Sequence, residues 1–274
     1  MDPFDSSLTN AVAQQYDLFQ QSLEAASKDR KFLNYGYTMD GDEPFEARQE
    51  RLCLEVFRAA GIRRDHVVVD VGFGSGEQDF VLARDFEFQR LTGFNISDRQ
   101  VRYASERAIR ERLDHKLTFC LGEAEALPGI RDASVDRLVA VECAFYFDRP
   151  RFYQRAAQVL KPDGLLVLAD IQLSDRLSFL TRREDLRRVG TVSGNRREWA
   201  RHFRARSIRP INRQTRPGVQ MSVWQILGAV LHGGMAAAER REWLKMAYYS
   251  QLVALGLSVD LVSYDLLVLE KVSD

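Results

Sequence analysis

The spacing of hydrophobic and polar residues divides the chain into strands and helices that alternate along its length. Runs of β-branched and other apolar residues predict buried strands, and apolar residues at intervals of three and four predict amphipathic helices. The predicted strands are residues 67–71, 90–94, 117–121, 135–141, 165–169 and 259–272. The predicted helices are residues 7–26, 45–60, 77–85, 99–113, 151–160 and a pair between 221 and 257 that is broken at Gly233 and Gly234. This alternation predicts an α/β fold with a parallel sheet and right-handed crossovers.

The loop after the first strand is rich in glycine. The strand Val67–Val71 is followed by Gly72, Gly74 and Gly76, and glycines let a ligand approach the backbone where a side chain would block it. Ligands of parallel α/β sheets bind at the carboxyl ends of the strands. The loops after the following strands lie at the same edge, so we expect a nucleotide-like ligand there.

This glycine loop does not fit two common phosphate-binding patterns. The chain has no GxxxxGK[ST] sequence after a strand, which argues against a P-loop. The dinucleotide pattern GxGxxG requires a glycine at position 77, where this chain has Glu77. An acidic side chain there would lie beside a pyrophosphate at the helix N-terminus that binds it. The spacing therefore argues against NAD and FAD.

Composition narrows the partners further. The net charge of +0 over 274 residues gives no overall attraction to nucleic acid or membranes. We find no run of about 18 apolar residues, so no membrane span is expected. The three cysteines, Cys53, Cys120 and Cys143, favour a reducing, cytoplasmic location over a disulfide framework. No cysteine–histidine cluster has the spacing of zinc ligands, so no metal is expected.

One segment departs from the neutral average. Residues 176–216 contain thirteen arginines and only three acids. A solvated helix face, balanced by acidic surface elsewhere, would account for such a run. A site for an anionic or carrier-bound substrate would account for it as well, and the sequence leaves both explanations open.

The pattern Asp70-x-Gly72-x-Gly74-x-Gly76 resembles motif I of the class I S-adenosylmethionine-dependent methyltransferases. Further segments up to about residue 170 resemble family motifs in the same order, namely GFNIS with a later glutamine, GEA before Leu-Pro, ECAF and VLKPDG. The chain resembles the small-molecule branch, which holds sterol and tocopherol C-methyltransferases, glycine N-methyltransferases, cyclopropane fatty acid synthases and antibiotic-pathway O-methyltransferases. This resemblance implies S-adenosyl-L-methionine as the cofactor. Its expected contacts are Tyr35, Asp70, Gly72, Gly74, Gly76, Asn95, Ile96, Gln100, Gly122, Glu123, Ala124 and Glu142.

Two of these positions depart from the usual family pattern. The residue that takes both ribose hydroxyls is usually acidic, whereas here it is Asn95, which pairs with a diol without charge assistance. The residue that accepts the adenine amino group is typically Asp, whereas here it is Glu123, longer by one methylene.

The resemblance also implies an architecture. We expect a Rossmann-like, seven-stranded, mostly parallel sheet with helices on both faces. Residues 1–44 are expected to form an N-terminal lid helix and aromatic loop, and residues 45–216 the cofactor-binding core. Residues 217–258 are expected to form a helical cap over the acceptor site, and residues 259–274 the final strand, at the sheet edge. The alternative to a lid is that the N-terminal helix packs on the sheet edge or on a partner. The sequence also leaves open whether the protein forms a homo-oligomer through this helix or the cap.

Two residues are candidates for the chemistry. Some O-methyltransferases of this branch use a histidine four residues after the acid that follows strand four, together with an aspartate after strand five. Those positions hold Tyr146 and Asp170 here. A tyrosine of ordinary pKa, about 10, is a poor base at neutral pH. Tyr146 is therefore expected to orient the substrate, to hydrogen-bond a developing charge, or to form part of the pocket wall. Asp170 is expected to act as a base or to cap a helix.

A histidine base is not expected, because no histidine falls on these loops. The four histidines are His66, His115, His202 and His232.

The acceptor is the least determined part of the reaction. The cap segment is rich in large apolar side chains, which either pack a core or line a site for a hydrophobic, aromatic or polycyclic small molecule. These residues are Trp224, Leu227, Met235, Trp243, Met246 and Tyr248. We expect methyl transfer to O, C or N of such a molecule in natural-product metabolism.

Two other functions remain open at this point. One is a cofactor-binding cyclase of the same fold that does not methylate. The other is an RNA methyltransferase that uses the arginine-rich segment. RNA enzymes often carry an Asn/Asp-Pro-Pro-aromatic segment after strand four to hold a flipped base. This chain has Glu-Cys-Ala-Phe there, so nucleic acid is not the expected partner.

Overall fold

The computed structural model describes residues 6–25, 32–39, 41–232 and 235–272. Its strands are β1 Val67–Val71, β2 Arg90–Asn95, β3 Leu117–Leu121, β4 Val135–Val141, β5 Leu160–Leu173, β6 Phe203–Pro210 and β7 Val262–Lys271. Its helices are α1 Ser6–Ala25, α2 Phe45–Ala60, α3 Glu77–Asp85, α4 Asp98–Arg110, α5 Arg149–Val159, α6 Glu184–Arg187, α7 Val192–Trp199, α8 Asn212–His232 and α9 Ala237–Ser258. Two 3-10 helices, η1 Ala144–Tyr146 and η2 Asp175–Arg182, follow β4 and β5. The predicted break at Gly233 and Gly234 lies outside the described residues.

The strands form one sheet in the order β3-β2-β1-β4-β5-β7-β6. Strands β1 to β5 are parallel, and β7 runs antiparallel to both of its neighbours, β5 and β6. This confirms the predicted seven-stranded, mostly parallel sheet. The strand order reverses between β1 and β4, so the carboxyl ends of these strands flank the crevice where such sheets bind ligands.

Hydrophobic cores cover both faces of the sheet. Alternate residues of β4 point to opposite sides, since Leu138 and Ala140 belong to one core and Val139 and Val141 to the other. Every residue of β1 is buried, as expected for a central parallel strand with helices above and below it. None of the described helices is long and apolar enough to cross a bilayer.

The sequence predicted that the last strand lies at the edge of the sheet, and this prediction is wrong. β7 is inserted between β5 and β6, and the edge is formed by β6, which lies within the arginine-rich segment. Edge strands commonly carry exposed charges, because these block pairing with another chain. The sequence did not predict β6, because its arginines interrupt the alternation of apolar and polar residues that indicates a strand.

The arginines of β6 are paired rather than free. Arg204 and Arg206 form ion pairs of 3.0 and 3.2 Å with Glu270 of β7. Arg209 forms an ion pair of 2.7 Å with Glu55 of α2. These three arginines therefore belong neither to a solvated helix face nor to a ligand site.

The helices α8 and α9 pack against α1 through a small core of their own. Phe19 of α1 is fully buried, and its ring lies 4.5 Å from that of Trp243. Ile226, Val230 and Ala247 complete this core. Helices in proteins are stabilised mostly by tertiary packing of one face, so α1 depends on this contact for its position. Burial of the Phe19 ring alone stabilises it by about 1.5–3 kcal/mol.

Four of the six large apolar residues named for this segment serve this packing, which is one of the two roles that the sequence left open. Leu227, Met235, Trp243 and Met246 belong to or pack against this small core. Trp224 and Tyr248 are exposed. None of the six lines the cleft described below.

Candidate active site

A cleft opens at the carboxyl ends of β1 to β4. Its walls come from the glycine loop after β1, the loops after β2 and β3, the segment after β4, and the aromatic loop around Leu33. Helix α1 contributes Thr9, Val12 and Tyr16. The topology thus brings together loops that are distant in the sequence. Ten of the predicted site residues line the cleft, namely Gly72, Gly74, Asn95, Ile96, Gln100, Gly122, Glu123, Ala124, Glu142 and Tyr146.

The three glycines of the loop all have positive φ angles, but for different reasons. A Cβ at Gly72 would lie 2.6 Å from Cβ of Cys143, and a Cβ at Gly76 would lie 3.0 Å from that of Ala104. Both positions therefore have little room for a side chain. Gly74, at φ +59°, meets only Leu33 at 3.4 Å, so there the backbone conformation is the main requirement. Gly72 and Gly74 line the cleft, whereas Gly76 caps α3 behind it.

Asp70 lies beneath the glycine loop and not in the cleft wall. Its carboxyl group is fully buried and accepts a hydrogen bond from Nε2 of Gln78. Asp79 is also fully buried, and three of the four carboxyl oxygens of the two residues have no hydrogen-bond donor among the described residues. Burial raises the pKa of Asp70 to about 7 and that of Asp79 well above its ordinary value. We infer that the pair shares one proton at neutral pH.

At the end of β2 the free donor belongs to Gln100 rather than to Asn95. Nδ2 of Asn95 donates to the carbonyl oxygen of Gly74 (3.2 Å) and to Oε1 of Gln100 (2.8 Å). Oδ1 of Asn95 accepts from the backbone N–H of Ser97. Nε2 of Gln100 is buried and has no acceptor among the described residues. A ligand hydroxyl in the cleft would satisfy it.

The two glutamates after β3 have different surroundings. Glu123 is exposed at the rim of the cleft. Glu125 is partly buried, and Oε1 accepts a hydrogen bond of 2.7 Å from the backbone N–H of Asp148. Burial raises the pKa of Glu125. Glu125 therefore helps to fix the start of α5.

Glu142 joins the cleft to the aromatic loop and to the last strand. Its carboxylate accepts from the backbone N–H of Tyr35 at 2.9 and 3.1 Å, and from the hydroxyl of Tyr264 in β7. Burial raises the pKa of Glu142 to about 8, and these two donors act in the opposite direction. Tyr35 does not line the cleft. Its hydroxyl lies 2.9 Å from that of Ser250, and this contact connects the aromatic loop to α9.

Tyr146 lies at the other end of the cleft, under α1. Its hydroxyl accepts a hydrogen bond of 3.1 Å from Tyr16, and the two rings are nearly perpendicular. Its carbonyl oxygen accepts from Nη1 of Arg188 at 2.6 Å. Burial raises the pKa of Tyr146, so the phenol stays protonated at neutral pH. This surrounding suits a group that orients a substrate and does not suit a base.

Asp170 is placed differently from what its sequence position implied. Its side chain is fully buried and forms two hydrogen bonds with Arg149, of 2.6 and 3.1 Å. It does not line the cleft. A base must reach the proton that it removes, so this geometry argues against that role. Arg149 also donates to the carbonyl oxygens of Arg188 and Val189, and the ion pair thus fixes the loop that carries Arg188.

Helix α1 is held over the cleft by hydrogen bonds to the loops after β1 and β2. The hydroxyl of Ser75 donates to Oε1 of Gln20 at 2.7 Å. The hydroxyl of Ser97 donates to Asp17 at 2.5 Å. Arg99 pairs with Glu24 farther along the helix. These contacts connect α1 to the glycine loop and to the start of α4.

Sequence reasoning missed several residues of the cleft. Asn34 is buried, and its Oδ1 has no donor among the described residues. Asn34 lies in the aromatic segment of residues 32–37. The signal that could have identified it is a polar residue among aromatic side chains. Tyr16 and Arg188 gave no local signal, because only the fold brings α1 and the loop after η2 to the cleft.

Comparison with known proteins agrees with this geometry. Residues 69–168 match the family model described as a methyltransferase domain. This part of the chain is therefore similar to methyltransferase domains. The match covers β1 to β5, the part of the sheet that forms the cleft.

Similar curated proteins methylate microbial natural products, according to their names. Erythromycin 3''-O-methyltransferase of Saccharopolyspora erythraea is 36% identical over 157 residues, which are 57% of this chain and 51% of that protein. The 27-O-demethylrifamycin SV methyltransferase of Amycolatopsis mediterranei is 31% identical over 165 residues, which are 60% of this chain and 59% of that protein. This chain thus spans between about half and three fifths of these relatives.

Solved structures share the fold over nearly the whole chain. The [4+2]-cyclase SpnF superposes with a TM-score of 0.77 at 22% identity and covers 96% of both chains. The cyclopropane synthase MmaA2 of Mycobacterium tuberculosis gives a TM-score of 0.75 at 15% identity, covering 93% of this chain and 94% of that one. At these identities the likeness concerns the fold alone.

Proposed function

We propose that the protein is an S-adenosylmethionine-dependent methyltransferase that methylates a hydrophobic small molecule in specialised metabolism. An oxygen is the favoured acceptor atom. The relatives quoted above are named for O-methylation of antibiotics, which supports this choice. The chain spans only part of their length, so the whole activity is a proposal.

The charge of the cleft is the observation that carries this proposal. Glu123, Glu125 and Glu142 line it, and Arg188 is the only basic side chain among the described lining residues. Glu77 also lines the cleft and pairs with Arg107. A dinucleotide would place a pyrophosphate among these carboxylates. S-Adenosylmethionine instead presents a sulfonium and an ammonium, which acidic walls attract.

The polar groups of the cleft fit this cofactor. Nε2 of Gln100 is the buried donor available to a ribose hydroxyl, and Oδ1 of Asn34 is a buried acceptor available to an ammonium. Glu123 is available to the adenine amino group. The positive φ angles of Gly72 and Gly74 bring backbone to the cleft surface. When bound, the cofactor supplies an electrophilic methyl group whose bond to sulfur breaks as the bond to the acceptor forms.

The residues at the α1 end of the cleft would position the acceptor. Tyr16 and Tyr146 form a pair of phenols, and Arg188 lies beside Tyr146. An acceptor hydroxyl in this position would be held near a guanidinium, which lowers the pKa of a hydroxyl. Alignment of the nucleophile with the methyl group supplies most of the acceleration in such a displacement. We therefore expect acceptors with acidic hydroxyl groups, which need little help from a base.

An RNA substrate has little support. The arginines of β6 pair with Glu270 and Glu55, so part of the arginine-rich segment is neutralised within the protein. A cyclase that binds the cofactor without using its methyl group would have the same cleft, and only an assay of the product distinguishes it.

Two measurements test the proposal. Isothermal titration calorimetry with S-adenosylmethionine, S-adenosylhomocysteine, NAD⁺ and ATP should show binding of the first two alone. Incubation with methyl-labelled cofactor and a panel of phenols, macrolide alcohols and amines should transfer label to an acidic hydroxyl. No binding of S-adenosylmethionine would sink the proposal. Binding and substrate conversion without label in the product would favour the cyclase.

A further inference from the structure

The helices α8 and α9 expose apolar side chains on the side that faces away from the core. Trp224 and Leu231 of α8 are 74% and 76% exposed, and Tyr248 of α9 is 62% exposed. Leu244, Leu252 and Leu255 of α9 are exposed as well. We call these six residues the cap face. Half of the large hydrophobic side chains that are exposed in the described residues, seven of fourteen, lie on these two helices.

The cap face follows helical spacing, as a continuous stripe on α9 and as two residues seven positions apart on α8. Leu244, Tyr248, Leu252 and Leu255 are separated by intervals of four, four and three residues. On the opposite side of α9, Trp243, Ala247 and Ala254 are buried against the protein. A surface helix ordinarily carries polar residues on its outer side. Contiguous exposed apolar surface of this kind marks an interaction site.

Unpaired arginines surround the cap face. Arg213, Arg216, Arg240 and Arg241 are exposed, and none of their guanidinium groups forms an ion pair with another described residue. α8 contains no acidic residue.

The two acids of α9 do not offset these arginines, because both are engaged on the side of α1. Glu239 accepts a hydrogen bond from Ser22, and Glu242 accepts one from Gln15. A chain of zero net charge thus concentrates positive charge around its largest exposed apolar region.

We propose that the cap face docks the protein on an anionic lipid surface. Exposed Trp, Tyr and Leu side chains beside Arg and Lys are the composition of helices that lie in the membrane interface. The indole and phenol groups place an apolar ring in the acyl boundary and a polar atom at the headgroups. The arginines bind lipid phosphates, and their attraction adds to that of the apolar groups.

A second copy of the chain is a poorer occupant of the cap face. A two-fold symmetric contact places the same surface on both sides. It would therefore gather the arginines of both copies around one interface, where α8 offers no acidic residue to pair with them, and like charges across an interface are unfavourable. An anionic surface meets the same arginines with opposite charge.

This inference does not depend on the proposed function, although it is compatible with it. An apolar acceptor partitions into lipid, so an enzyme held at the bilayer surface meets it at a higher local concentration. The cap face and the cleft use different residues. Variants of the cap face should therefore leave cofactor binding unchanged.

Vesicle co-flotation tests the proposal with the full chain. Vesicles of phosphatidylcholine alone are compared with equimolar phosphatidylcholine and phosphatidylglycerol, at about 50 and about 500 mM salt. We expect binding to the anionic vesicles at low salt, and a loss of at least about tenfold at high salt or in R240E/R241E. W224S/L231S should weaken binding at both salt concentrations, because it removes the apolar part.

Two matched variants control for surface charge and surface apolarity elsewhere. R196E/R197E reverses an exposed arginine pair on α7, and I109S removes an exposed apolar side chain from α4. Both should bind the anionic vesicles like the unmodified protein, and thermal melts should show that all four variants are folded.

Three outcomes would overturn the proposal. They are no binding to anionic vesicles, equal binding by R240E/R241E and the unmodified protein, or equal losses in the control variants. A dimer in light scattering that W224S/L231S dissociates would assign the cap face to a second copy instead.

Discussion

At the scale of single residues, Gln100 is the side chain whose role in the cleft can be measured most directly. Its Nε2 is buried and has no acceptor among the described residues, whereas Nδ2 of Asn95 already donates to Gly74 and Gln100. Gln100→Ala should weaken S-adenosylmethionine binding about tenfold, the order expected for one lost hydrogen bond. Gln89→Ala, which changes an exposed glutamine, should have no effect in the same calorimetric titration. Equal affinities in both variants would show that Gln100 does not bind the cofactor and only accepts the hydrogen bond from Asn95.

The buried pair of Asp70 and Asp79 predicts how stability changes with pH. Because burial raises the pKa of Asp70 from 3.8 to about 7, the folded state favours the protonated form more than the unfolded state does. The associated stability is therefore full below the ordinary pKa and is lost as pH rises through about 7. Asp79→Asn places an amide donor beside Asp70 and removes the shared proton.

Thermal melts between about pH 5 and about pH 8.5 check this prediction. The melting temperature of the unmodified protein should fall as pH rises from about 5 through about 7, and that of Asp79→Asn should fall less. Asp114→Asn, at an exposed position, should follow the unmodified protein. Parallel curves for all three proteins would show that the pair does not share a proton.

At the scale of elements, the sequence predicted α2, α3, β1, β3 and β4 with the bounds that the structure has. These elements have strong periodicity and clear ends, such as Gly61, whose left-handed conformation closes α2. Predictions failed where neighbours in space decide. The strand predicted at residues 165–169 begins earlier, because the pairing with β4 extends β5 back to Leu160. The central position of β7 follows from its pairing with β5 and β6, and no local pattern encodes that.

Helix α1 carries a prediction about cofactor exchange. Asp17 and Gln20 accept hydrogen bonds from Ser97 and Ser75, which belong to two cofactor loops. The double variant Asp17→Ala, Gln20→Ala should release S-adenosylhomocysteine faster, by about tenfold for two lost hydrogen bonds. Stopped-flow displacement measures this rate. Gln14→Ala with Gln21→Ala, at exposed positions of the same helix, should leave the rate unchanged, and a similar increase in this control would mean that helix stability alone is responsible.

At the scale of the whole molecule, Glu142 connects parts of the chain that the sequence keeps far apart. Tyr264 of β7 and the backbone of Tyr35 bind its carboxylate, and Tyr35 in turn contacts Ser250 of the cap. The ionised carboxylate attracts a cationic cofactor. Since its pKa is raised to about 8, affinity for S-adenosylmethionine should increase as pH rises through that value.

Tyr264→Phe should move this increase to higher pH, because the lost hydroxyl is a donor that favours the charged form of Glu142. Calorimetric titrations between about pH 6.5 and about pH 9.5 would define both curves. Ser250→Ala breaks the link between Tyr35 and the cap but leaves both donors to Glu142, so its curve should keep the midpoint of the unmodified protein. An affinity that does not change with pH would separate Glu142 from cofactor binding. A shift of equal size in Ser250→Ala would instead show that the cap, through Tyr35, controls the charge of the site.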